Sequence, residues 1–154
     1  MRIGSSLWAT KCASWACDVC IVIDVNRIPA VFNALDPDYP AFSPIADWIH
    51  RHGTKMVYGG TRYKAELSHM RTYLPLLTEM RRAGKVHEAD KQSVDAAEEE
   101  VRNKMEHRNF NDQAIVAIVI TSRCRLVCSN DKSSFPFLKT RDLYPKDVKP
   151  PVIY

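Results

Sequence analysis

The sequence predicts an α/β fold: a three-layer α/β/α sandwich with a mostly parallel central sheet. Along the chain of 154 residues, short β-branched apolar segments alternate with longer helical ones, which is the order typical of this class. Residues 19–24, VCIVID, are apolar on both faces, as a central parallel strand is. The chain length fits one domain over residues 19–154, preceded by an extension of unknown role over residues 1–18.

The composition is that of an ordinary globular protein, with 45% hydrophobic and 26% charged residues. We expect a cytoplasmic protein without a membrane partner, because no apolar run approaches ~20 residues and the N-terminus lacks the apolar core of a signal peptide. The net charge of +4 permits a polyanionic partner without requiring one. We expect the five cysteines to be reduced thiols, mainly in the core, since the group Cys12, Cys17 and Cys20, with its one CxxC spacing, lacks an obvious fourth zinc ligand.

Local patterns predict the elements between the first strand and the acidic region. Proline and glycine mark most of the boundaries, and apolar residues at three- and four-residue spacing mark the helices. The predictions are, in order, a helix over 25–35, a Pro-rich loop over 36–44, a helix over 45–52, a strand over 54–60, two helices over 61–85 broken at Pro75, and an amphipathic helix over 93–108 with Ser93 as its N-cap.

The most apolar stretch of the chain, residues 114–120 (AIVAIVI), is ambiguous from its residues alone. Its β-branched content favours a strand, while a helix that is buried on all sides gives the same pattern. Residues 125–129 (RLVCS) are better read as a strand, and the apolar C-terminal residues could pair at a sheet edge. Asp112 and Asp131 stand at the two ends of this region, where a helix start and a turn are expected.

Carboxylates follow the predicted strands. Asp24 ends the first strand, Glu66 follows the second, and Asp131 follows RLVCS; Asp112 can reach the same rim of the sheet. In open α/β sheets ligands bind at this rim. Gathered carboxylates repel unless one takes up a proton or a cation lies between them, and Mg²⁺ and Mn²⁺ prefer such oxygen ligands. The alternative, that these acids are ordinary turn and cap residues, stays open on the residues alone.

Four motifs, in order over nearly the whole chain, resemble those of the PIN-domain family of metal-dependent ribonucleases. VIDVN is similar to the opening strand with its first Asp, and YGGTRYKAEL to the segment that carries the Glu. FNDQAIVAIVI resembles the third motif, an Asp before a small-apolar helix. LVCSND followed by SSF resembles the fourth, a strand ending in Ser and Asp before an aromatic residue.

The resemblance implies a buried helix for AIVAIVI and a metal-dependent endoribonuclease. It implies that Asp24, Glu66 and Asp112 ligate Mg²⁺ or Mn²⁺, and that Asp131 completes the cluster directly or through water. Asn26 and Ser129 would then orient these ligands or contact substrate. Many bacterial members are toxins held by an antitoxin protein, and members commonly form homodimers, so the resemblance raises both partners beside RNA. Many members carry a second acid where this chain has Val116, which leaves the number of metal ions open.

Cations beside the acid motifs would serve a nuclease by binding backbone phosphates, or else only offset the carboxylates. They are Arg62, Lys64 and Lys132. Nearby aromatic residues could stack on bases, but packing is the better interpretation, and the five histidines are expected to be exposed.

Three other functions remain as alternatives: a silent PIN-like module that binds nucleic acid or protein, a nuclease for structured DNA, and a phosphatase of the haloacid-dehalogenase type. The opening Asp24-Val25-Asn26 argues against the phosphatase, which needs a second Asp or a Thr at the third position.

Overall fold

The computed structural model describes residues 20–154, which form an all-parallel sheet of five strands flanked by helices. This confirms the predicted α/β class and is the arrangement of a three-layer sandwich. The predicted extension over residues 1–18 lies outside the described residues, as do Cys12 and Cys17.

The strands run in the order β3-β2-β1-β4-β5. Their bounds are Cys20–Ile23 (β1), Lys55–Gly59 (β2), Val86–Ala89 (β3), Leu126–Cys128 (β4) and Val152–Ile153 (β5). The α-helices are Ile28–Phe32 (α1), Tyr39–His52 (α2), Thr61–Ser68 (α3), Leu74–Arg82 (α4), Lys91–Lys104 (α5), Gln113–Ser122 (α6) and Phe135–Leu138 (α7). Single 3-10 turns occupy Val25–Arg27, Arg71–Tyr73 and Arg141–Leu143.

The core is built around β1 and α6. All four residues of β1 are buried, as expected for a central parallel strand. Helix α6 is buried from Gln113 to Val119 and packs against β1, β2, β3 and α5. The helical interpretation of AIVAIVI is therefore correct, because a segment that is covered on every side need not alternate polar and apolar residues. The buried thiols of Cys20, Cys124 and Cys128 also belong to this core.

Two predicted helix starts were wrong. The Pro-rich stretch 36–44 is not a loop throughout, since α2 begins at Tyr39 and contains Pro44. Pro40 lies in the first turn, where its missing N–H has no helical acceptor to lose, so the helix accepts it. Helix α5 begins two residues before Ser93, because Asp90 is its N-cap and accepts a hydrogen bond from the Ser93 N–H at 3.0 Å.

Strand β3 was missed because its sequence, VHEA, is half polar. It pairs with β2 at one edge of the sheet, and only Ala89 is fully buried. The apolar stripes on α4 and α5 pack against the core through Leu77, Val94 and Val101. No helix within residues 20–154 has the length and apolar character needed to cross a membrane.

Candidate metal centre

The candidate centre lies where the strand order reverses. Strand β1 is followed along the chain by β2 on one side, while the later strand β4 pairs with its other side, so the carboxyl ends of β1 and β4 form a crevice. Asp24 follows β1 directly and its N–H donates to the carbonyl of Cys128 at 2.9 Å, which ties the two strand ends together.

Asp24 is buried, with 7% of its surface exposed. Its Oδ1 accepts the N–H of Asn26 at 3.3 Å, and its Oδ2 faces the hydroxyl of Ser129 at 3.5 Å. Burial raises the pKa of Asp24, and the nearby Asp131 raises it further, while the Asn26 N–H, the Arg27 guanidinium and the Ser129 hydroxyl lower it. The carboxylate is therefore held in place in a site where its charge is costly.

Asp131 lies in the turn after β4, as predicted, and is held by hydroxyls. Ser133 donates to Oδ1 at 2.5 Å and Ser134 donates to Oδ2 at 3.0 Å. These bonds lower the pKa of Asp131, with the Ser133 hydroxyl as the largest cause. The hydroxyl of Ser129 accepts the Asp131 N–H at 3.2 Å, so it links the acids of β1 and β4. Asp131 is thus kept ionised beside Asp24.

Asp112 occupies the N-cap position of α6 but makes no side-chain capping bond there. Its Oδ2 is buried, and no described residue donates a hydrogen bond to it. Burial is the largest cause that raises the pKa of Asp112 to about 6; Asp24, Asp131 and Glu66 raise it too, while the Ser134 hydroxyl lowers it. A buried carboxylate oxygen without a partner costs about 1–3 kcal/mol or more, so this is the atom at the rim for which a partner would stabilise the fold most.

Glu66 approaches the crevice from α3, on the opposite side from Asp131. Its side chain is about half exposed, at 51%, and Arg62 one turn earlier lies 3.9 Å from its Oε1. Burial and the charge of Asp24 raise the pKa of Glu66, and Arg62 lowers it. Tyr63, three residues before Glu66 on the same helix, is buried. Its hydroxyl donates to the carbonyl of Ile23 at 2.5 Å, which fixes α3 against the end of β1.

Two further contacts fix the start of α3. Gly60 has φ +84°, and a Cβ there would lie 2.5 Å from Cγ1 of Val94, so this position requires glycine. Asp95 of α5 caps α3 by accepting the N–H and the hydroxyl of Thr61 at 2.8 and 2.7 Å.

The fold brings the four predicted acids into one electrostatic neighbourhood. Asp112 interacts with each of the others, and Asp24 with Glu66 and Asp131. They do not form a ready set of ligands: within residues 20–154, no three His, Cys, Asp or Glu side chains converge closely enough to hold a metal ion. The acids share a rim, and Glu66 remains with Arg62 at its outer edge.

The other predicted site residues differ in their availability. Ser129 is buried between the acids, whereas Asn26 is exposed and contributes its backbone N–H. Lys64 forms an ion pair with Glu88 at 3.0 Å and would have to leave it to bind a phosphate. Lys132 is exposed beside Asp131.

Aromatic and histidine side chains follow the simpler interpretations. Tyr58 and Tyr63 are buried in the core, and Phe135 packs against it, so packing accounts for all three. The five histidines are exposed, as predicted: His50, His52, His69, His87 and His107.

Two residues at the site were missed from the sequence. Ser134 is fully buried and serves both Asp131 and Asp112, and Arg27 offsets the charge of Asp24 while pairing with Asp38 at 3.0 Å. The serine had a usable signal, since hydroxyl residues two and three positions after an Asp are typical of a capped turn. Arg27 had none, because its reach to Asp24 depends on the 3-10 turn that follows β1.

No family model matches the chain, and neither the curated proteins nor the solved structures include one similar enough to count as a match.

Proposed function

We propose that the chain is a nuclease that hydrolyses phosphodiester bonds of RNA with Mg²⁺ or Mn²⁺ as its cofactor. The observation that carries the proposal is the buried, unpartnered Oδ2 of Asp112 among three other carboxylates. A divalent cation would give this oxygen a partner and neutralise the repulsion between the acids. The motif order that resembles PIN domains supports the same activity.

The donor set fits such an ion in chemistry, because hard carboxylate oxygens are what Mg²⁺ and Mn²⁺ prefer. Asp24 and Asp112 would hold the ion, with Asp131 and Glu66 completing the set. When bound, the ion would lower the pKa of a water molecule and stabilise negative charge on the phosphate oxygens. Glu66 would have to release Arg62, and an exposed pair of this kind is worth about 0–1 kcal/mol, so its release is cheap.

The protein's own groups would orient and balance this site. Ser129 holds Asp24 and the Asp131 backbone in register, and Ser133 and Ser134 keep Asp131 ionised. Arg62, once free of Glu66, and the exposed Lys132 would bind backbone phosphates on either side of the rim. In this arrangement the carboxylates lie at the reacting phosphate, and Arg62 and Lys132 lie beside it.

A second candidate function is a catalytically silent module that binds nucleic acid. It is favoured by the lack of three converging ligands in the described chain and by the half-exposed position of Glu66. The two candidates differ in one respect that can be measured, since only the nuclease needs the carboxylate of Asp112 for a chemical step.

The test is cleavage of labelled total RNA and tRNA with Mg²⁺ or Mn²⁺, comparing wild type with Asp112→Asn. Cleavage by the wild type that both EDTA and the substitution abolish is the expected result. Exposed Asp47 on α2 provides the matched control, because Asp47→Asn makes the same chemical change away from the rim and should leave cleavage intact. If calorimetry detects no binding of Mn²⁺ to the wild type, the metal-dependent nuclease is rejected.

A further inference from the structure

A basic cavity of about 310 Å³ adjoins the acid rim. Its walls come from α3, the end of α5 and the loop that leads into α6, and they include Arg62, Arg102 and Arg108. Asn111 and Gln113, which also line it, are the immediate neighbours of Asp112. The cavity is therefore lined by the sequence neighbours of one acid of the candidate metal centre, while three arginines give it the opposite charge.

Arg102 lines the cavity and carries a hydrogen-bond donor without an acceptor among the described residues. Its Nε donates to Glu98 at 3.1 Å one turn earlier on α5. Its Nη2 is buried, and no acceptor for it exists among the described residues. A guanidinium that is half used in this way has a donor left for an anion, and a phosphate oxygen is a suitable acceptor.

The remaining polar groups of the cavity are mostly donors. His107 Nδ1 accepts the N–H of Asn109 at 3.1 Å, which leaves Nε2 as the donor of this ring. The ring is fixed against Phe137, with centroids 5.1 Å apart. Glu106 is the one acid on the wall, against the three arginines. A site with this balance favours an anion with several oxygens.

We propose that the cavity of Arg62, Arg102 and Arg108 binds a backbone phosphate of single-stranded RNA next to the phosphate that lies at the acid rim. This inference rests on the proposed function for the position of the reacting phosphate, and it assigns the substrate a second point of attachment. Arg62 belongs to both places, since it lines the cavity and lies 3.9 Å from Oε1 of Glu66.

The experiment measures binding of a single-stranded RNA oligonucleotide in EDTA, so that no cleavage takes place. Arg102→Gln is compared with Arg82→Gln, an exposed arginine that also pairs with a glutamate on its own helix, at 2.8 Å. We expect Arg102→Gln to weaken binding about tenfold or more, as loss of a charge-assisted hydrogen bond does. The slope of log K against log salt should fall by about 0.7, and Arg82→Gln should change neither quantity.

Arg108→Gln repeats the test at an exposed loop position that the fold does not need, in case Arg102→Gln fails to fold. A second arm uses oligonucleotides in which one linkage at a time is a neutral methylphosphonate. One position should weaken binding to the wild type, and the same position should have no effect on binding to the arginine variant, because the pair has already been broken.

The outcomes separate this inference from the proposed function. If folded Arg102→Gln and Arg108→Gln bind RNA with wild-type affinity and salt slope, the phosphate site is rejected even where the wild type cleaves RNA. If the wild type does not cleave but its RNA binding depends on both arginines, the nuclease fails and the phosphate site stands. If inorganic phosphate binds the cavity as tightly as the oligonucleotide does at equal phosphate concentration, the cavity is a free-anion site and the RNA assignment is overturned.

Discussion

Replacing Asp112 by Asn should stabilise the protein in the absence of metal ions. The side chain is partly buried, its Oδ2 lacks a donor, and its pKa is raised from 3.8 to about 6. Each pKa unit corresponds to about 1.4 kcal/mol, so the ionised carboxylate costs the fold up to about 3 kcal/mol. Because the group is not fully enclosed, we expect a gain of about 1–3 kcal/mol for the neutral amide at pH 8.

The sign of the pH dependence follows from the raised pKa. Well below pH 3.8 the Asp112 carboxyl is protonated in both the folded and the unfolded state, and the cost is absent. The cost grows as the pH rises from about 4 to about 6, since the unfolded chain loses its proton first, and it is constant above that range. The advantage of Asp112→Asn should therefore grow over this interval and be small, about 0.5 kcal/mol, at pH 4.

The assay is urea unfolding in EDTA at pH 4 and pH 8, with exposed Asp47→Asn as the control that should stay near the wild type at both pH values. Adding Mn²⁺ should reverse the order at pH 8. A ligand at a thousand times its Kd stabilises the folded state by about 4.1 kcal/mol, and the wild type should gain this while the variant gains little. An Asp112→Asn protein that is less stable than the wild type at pH 8 in EDTA would refute the reasoning, because the carboxylate would then be satisfied without an ion.

Three further substitutions test the supports of the rim by urea unfolding. Gly60→Ala should lower the free energy of unfolding by about 2–4 kcal/mol, because φ is positive and the new Cβ would lie 2.5 Å from Val94. Gly53→Ala, with φ +70° and open space around it, should lower it by about 1 kcal/mol. Equal losses in the two variants would contradict the contact with Val94. Ser134→Ala should cost about 1–2 kcal/mol at pH 7 and less at pH 3, because its hydroxyl stabilises the ionised forms of Asp131 and Asp112; a cost independent of pH would count against this role. Tyr63→Phe should cost about 1 kcal/mol through the lost bond to Ile23, and wild-type stability would show that this bond does not hold α3 in place.

The elements that a sequence predicts well here are those whose burial is complete or strictly one-sided. Strand β1 is buried throughout, and its apolar run predicts it. Helix α5 has a clear apolar stripe, which predicts it as well. Strand β3 is stabilised by pairing with β2 rather than by its own side chains, so VHEA carries no local signal. The start of α2 was hidden by its prolines, because the first turn tolerates residues that end a helix elsewhere.

The sequence was enough to predict that the acids lie at the rim of the sheet, but not how far apart they are. Asp24 and Asp131 follow strands that are neighbours, and the topology of a parallel sheet alone brings them together. The distance of Glu66 from the others depends on the pitch of α3 and on its partner Arg62, neither of which the spacing of residues encodes. The donor without an acceptor on Arg102 is likewise a product of packing between α5 and the loop before α6.

The pair of Arg62 and Glu66 connects the two proposals. Their side chains are 48% and 51% exposed and 3.9 Å apart, so their separation costs about 1 kcal/mol or less. A phosphate in the basic cavity would compete for Arg62 and thereby release Glu66 towards the carboxylates, where a cation needs another oxygen ligand. A cation at the rim would in turn draw Glu66 away and leave Arg62 to the phosphate. Each ligand would then tighten the other by the same factor, because the coupling between two binding sites is reciprocal.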